Sequence, residues 1–75
     1  MNIKVYGMGC KNCEIVHENV KKVVEEMNLD ATIDYITELQ EILAAGIMAT
    51  PALEVDGKVV SKGKVLKPNE IKKYL

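Results

Sequence analysis

The chain has 75 residues, with 10 basic and 11 acidic side chains and a formal net charge of −1 at neutral pH; that suffices for one small domain and is too little to enclose a large substrate. Every basic residue is a lysine, scattered from Lys4 to Lys73, whereas a nucleic-acid surface would mass positive charge on one face. The longest apolar stretch, Ile42 to Leu53, is broken by Gly46, Thr50 and Pro51, and the start "MNIKVYG" has no signal-peptide core, so a soluble, cytoplasmic monomer with no membrane segment is expected.

In chain order, "NIKVY" alternates apolar Ile3 and Val5 with Lys4 and Tyr6 and then meets Gly7 and Gly9, which reads as a strand entering a tight loop. From Cys13 onward Val16, Val20, Val23, Val24 and Met27 recur at helical spacing. Glu18/Lys22, Lys21/Glu25 and Lys22/Glu26 stand one turn apart on the other faces, predicting an amphipathic helix of about four turns. "ATIDYI" is a second strand. Thr37 and Gln40 have capping-box spacing ahead of Leu39, Ile42 and Leu43, and predict a shorter helix over Glu38 to Ala45 with Gly46 as its stop.

Ala52 to Val55 and Lys58 to Ser61 flank Asp56-Gly57, the strongest hairpin signal in the chain. "KPNEIKKYL" closes it with Pro68 at a first helical position and Ile71, Tyr74 and Leu75 as a buried edge. The order is β-α-β-α-β-β-α: a single α/β domain over residues 1–75, with two parallel strands, an antiparallel hairpin in the same sheet and helices on both faces. Tyr6, Tyr35 and Tyr74 are expected to pack in or near the core, and the Lys21-Lys22 and Lys72-Lys73 pairs to be solvated.

"GMGCKNC", residues 7 to 13, carries the chemistry. With Cys10 at the N-terminal end of a helix, unpaired backbone N–H groups, the helix dipole and Lys11 all favour thiolate over thiol. A free thiol titrates at about 8.5, and one lowered to about 7 is half ionised at neutral pH. That thiolate can attack a disulfide, and Cys13, one turn further in, can resolve the product. The same two sulfurs can instead clamp Cu(I) or supply half of a zinc site, for which only His17 offers a further nitrogen. The loop alone leaves both open, and it closely resembles the Gly-Met-x-Cys-x-x-Cys loop of the copper chaperone domain, which would make the protein a soft-metal carrier. That family, however, resembles β-α-β-β-α-β and has no helix between its second and third strands.

The order β-α-β-α-β-β-α, Cys-x-x-Cys between first strand and first helix, and Thr50-Pro51 before the third strand together resemble the thioredoxin fold in its minimal form, similar to the small archaeal and bacterial thioredoxin-like, or glutaredoxin-like, redox proteins. The resemblance spans essentially the whole chain. It implies that Cys10 attacks, Cys13 resolves and Lys11-Asn12 tune the potential. It further implies that Pro51 forms a cis bond facing the disulfide and that Thr50 pairs with substrate backbone. Met8, beside the cysteines, reads as a soft metal ligand or as part of the substrate rim, where Gly9 and Gly63 are also placed. The activity implied is thiol–disulfide exchange with protein disulfides, fed by a flavoprotein reductase of the thioredoxin-reductase type. No bound cofactor is called for beyond the redox-active Cys10–Cys13 disulfide itself. The Trp and Gly-Pro of the thioredoxin motif proper are absent, as are the Cys-Pro-Tyr-Cys and paired glycines of glutaredoxins, and no acidic residue stands out as a buried carboxylate beside the resolving thiol.

Overall fold

In the computed structural model, which describes residues 1–75, β1 (Asn2–Tyr6) leads through the cysteine loop into α1 (Lys11–Glu26), and β2 (Thr32–Ile36) returns beside β1. Then come α2 (Leu39–Ala44), β3 (Ala52–Val55), β4 (Lys58–Lys62) and α3 (Pro68–Lys72). The sheet order is β2-β1-β3-β4. β1 runs parallel to β2, with Val5 opposite Tyr35, and antiparallel to β3, with Tyr6 opposite Ala52. β3 and β4 form the hairpin, and Asp56 and Gly57 at its tip both have positive φ, as a two-residue loop between right-twisted strands demands. All seven elements stand in the expected order.

The alternation along β1 divides the interior. Ile3 and Val5 join Leu53 beneath Val16, Val20 and Val23 of α1, with Leu66 and Ile71 closing that side. On the opposite face Tyr6 and Ala52 meet Ile42 and Ile47. Burying a side chain the size of valine or leucine contributes about 1.5–3 kcal/mol, so the eight-residue cluster under α1 and α3 dominates the four-residue one under α2. Tyr6 also donates a 3.0 Å hydrogen bond to Glu54 Oε1 across β1 and β3, and burial together with that carboxylate pushes the phenol up to about 12.

Four local expectations are corrected. No side chain caps α2, whose N-cap is Glu38 rather than Thr37, and the helix is one residue shorter at each end. Leu39 and Leu43 lie exposed on it; Ile42 alone is buried, and Ile47 from the following loop completes the contact. Tyr74 is 43% exposed because α3 ends at Lys72, so only Ile71 is buried there. The ion pairs of α1 are Glu18–Lys21 within the helix and Glu26–Lys72 across to α3, in place of the expected four-residue pairs; exposed pairs of this kind are worth little whichever partners close.

Candidate active site

The ladder of β1 continues one residue past the strand, where the Gly7 N–H donates to the Ile36 carbonyl at 3.0 Å. Gly9 then turns at φ +80°, and Cys10, in extended conformation, is the N-cap of α1. Its sulfur accepts from the Cys13 N–H at 3.3 Å, in the place where a serine or aspartate oxygen usually caps a helix. Cys10 and Cys13 are joined as a disulfide with Cα atoms 5.2 Å apart. The two sulfurs occupy unlike surroundings: Cys10 is exposed, while Cys13 is 0% exposed.

Gly7 explains how Cys13 is buried. A Cβ at Gly7 would lie 2.5 Å from the Cys13 Cβ and 3.0 Å from both the Cys13 Sγ and the Tyr35 Cε1. The first turn of α1 rests on bare backbone at the end of β1, with the Tyr35 ring closing the side. One turn along α1 from Cys13, His17 stacks on that ring, centroids 4.6 Å apart, and its pKa is lowered by burial and by nearby Lys21. The Tyr35 hydroxyl is enclosed and has no hydrogen-bond partner. No charged side chain is buried anywhere in the chain, so Cys13 has no buried carboxylate beside it.

Register places the remaining residues. Since Ala52 pairs with both Tyr6 and Lys62, one step further Pro51 comes beside Gly7 and Gly63 at the same sheet edge. The Thr50–Pro51 bond is cis, and the Gly63 N–H donates to the Pro51 carbonyl at 2.8 Å. A Cβ on Gly63 would sit 2.9 Å from that of Ala49, so this glycine supports the loop from behind. Met8, Gly9, Lys11 and Asn12 are exposed around Cys10. Sequence reasoning missed Gly7 as a contact residue, Tyr35 as a neighbour of Cys13, and Met48, which is 88% exposed just before Thr50; an apolar residue between Gly46 and Pro51, in a loop rather than on a periodic face, was the available signal for the last.

A family model described as a thioredoxin domain matches residues 1–75. The chain belongs to the thioredoxin family. It is 43% identical to a thioredoxin of Methanothermobacter thermautotrophicus over 75 residues, covering all of this chain and 97% of that one. It is 41% identical to a thioredoxin of Methanocaldococcus jannaschii over 73 residues, covering 97% of this chain and 84% of that one. Thioredoxins are thiol–disulfide oxidoreductases, and this chain is one, with Cys10–Cys13 as its redox disulfide. The copper-chaperone alternative required a chain without a helix between the second and third strands, and α2 stands there. No three His, Cys, Asp or Glu side chains are grouped to hold a metal ion. A thioredoxin needs no deep cavity, because its substrate disulfide comes to an exposed sulfur; the one depression, about 410 Å³ along the outer face of α1, contains neither cysteine.

Proposed function

We propose that Cys10 is the attacking thiol and Cys13 the resolving thiol in the reduction of disulfides in other proteins. The observation that carries this assignment is the disparity in access, Cys10 exposed and Cys13 0% exposed, supported by the place of Cys10 at the N-terminus of a 16-residue helix, where a thiolate is stabilised. Cys10 thiolate attacks one sulfur of the substrate and forms a mixed disulfide, releasing the other as thiolate. Cys13, deprotonated, then attacks the Cys10 sulfur, restoring the internal disulfide and releasing the second substrate thiol. Two electrons pass to the substrate, and a reductase of the flavoprotein class returns them.

Lys11 and Asn12, the exposed pair between the cysteines, adjust the potential. Met8, Gly9, Thr50, Pro51 and Gly63 form the substrate rim, and exposed Met48 extends its apolar character. This domain acts in the cytoplasm and as a monomer. Cys10→Ser should abolish turnover, while Cys13→Ser should accumulate a mixed disulfide with a protein substrate, read by mass spectrometry and released by excess dithiol. Multiple turnover by Cys13→Ser would sink the two-thiol assignment.

A further inference from the structure

We infer that the Tyr35 hydroxyl is the hydrogen-bond donor that receives the Cys13 thiolate when the Cys10–Cys13 disulfide opens. This rests on Cys13 being the resolving thiol. A charge on a sulfur that is 0% exposed is costly unless a donor meets it. The Cys10 sulfur has the Cys13 N–H, but Cys13 Sγ accepts no hydrogen bond, and no buried charged side chain stands near it. The Tyr35 hydroxyl is the one buried side-chain polar atom in the chain without a partner. The Cε1 atom of its ring and the Cys13 sulfur each lie 3.0 Å from the same point over Gly7, so ring edge and sulfur are at most twice that distance apart, and in the disulfide form the hydroxyl makes no bond to the sulfur.

The orphan hydroxyl and the donor-less sulfur belong to the oxidised state, where sulfur is uncharged and a weak acceptor. Reduction changes the acceptor, since a thiolate draws a donor far more strongly than a disulfide does. His17 keeps one N–H donor even when neutral, but its ring is stacked on the face of Tyr35 one turn along α1, and burial and Lys21 disfavour the imidazolium that could offset the thiolate's charge. Glu14 and Lys11 of the same turn are exposed. In the resolving step the Cys13 S–H gives its proton to water and the resulting thiolate forms the bond to the Cys10 sulfur. The Cys10–substrate bond breaks, and its electron pair leaves on the substrate sulfur, which takes up a proton. Tyr35 keeps its own proton throughout; it holds the charge before the attack and releases it afterwards.

Tyr35→Phe in the full chain is the test, with exposed Tyr74→Phe as control. At equilibrium with a small dithiol of known potential, at an alkaline pH where the reduced protein holds Cys13 as thiolate, the variant should favour the disulfide about tenfold more, a potential about 30 mV more negative. In urea, the oxidised variant should be as stable as the parent or more so, since an unpartnered hydroxyl is removed, while the reduced variant should be less stable. The difference between those two stability changes must equal the redox shift, because the unfolded dithiol does not feel Tyr35. An unchanged or less negative potential, or equal losses in both redox states, would overturn the inference. If that happens while Cys13→Ser still traps the mixed disulfide, the hydroxyl alone is wrong; if Cys13→Ser turns over, both assignments fall.

Discussion

Gly7 and Gly9 look alike in the sequence, two glycines at a strand end, yet they answer to different constraints. Gly9 has φ +80° and open space around the missing Cβ, so it serves the turn. Gly7 has no such φ; it is needed because Cys13 and Tyr35 press against its backbone. Gly7→Ala should therefore lower stability by about 1–3 kcal/mol, the cost of forcing a methyl into a packed contact, measured as a fall in the urea midpoint of the oxidised protein. An unchanged midpoint would mean that the first turn of α1 is not seated on Gly7. At this scale the Cys10–Cys13 pair was legible from its spacing, whereas the roles given to Thr50, Pro51 and Gly63 came from the family resemblance, because the local sequence alone reads Thr50-Pro51 as an ordinary strand start. The Gly7–Cys13–Tyr35 contact was not, because it joins three elements and depends on which face of β2 meets α1.

At the scale of elements, periodicity locates what is buried and is blind to what is not. The apolar pattern of the first helix begins at Cys13, but the backbone is helical from Lys11, because Lys11 and Asn12 face solvent and leave no trace in the pattern. The same blindness made Thr37 look like a cap: a capping box is only a spacing until its hydrogen bonds close. The contact of α1 with β2 through His17 and Tyr35 has a consequence in acid. The folded state lowers the His17 pKa below 6.5, so the unfolded chain binds that proton more readily, and the folded state loses stability as pH falls through 6.5 and below. Lys21 adds to this effect and Glu18 opposes it, while Glu70, held low by Lys64, matters only below its ordinary value of 4.5. The urea midpoint of the oxidised protein should fall between about pH 7.5 and about pH 5.5, and fall less in His17→Phe, which keeps an aromatic ring against Tyr35 and cannot titrate. Parallel declines in the two proteins would rule out His17 as the source.

Across the whole molecule, the two faces of the sheet are unequally held. One face carries eight buried residues under α1 and α3; the other carries four under α2, a helix of six residues with exposed leucines on either side of Ile42. Local opening follows the weaker packing. In native-state hydrogen exchange the amides of Leu39–Ala44 should exchange through a partial opening that depends weakly on urea, while those of Val5, Val20 and Leu53 exchange only with global unfolding. Protection in α2 equal to that of Val20 would contradict this division. The arrangement suits the chemistry, because the Thr50–Pro51 segment is tied at both ends, by Ile47 and Ala52, into the smaller cluster, whereas Cys13 sits at the end of α1, which the larger one anchors. Opening on the α2 side therefore displaces the Thr50–Pro51 segment and leaves Cys13 seated over Gly7.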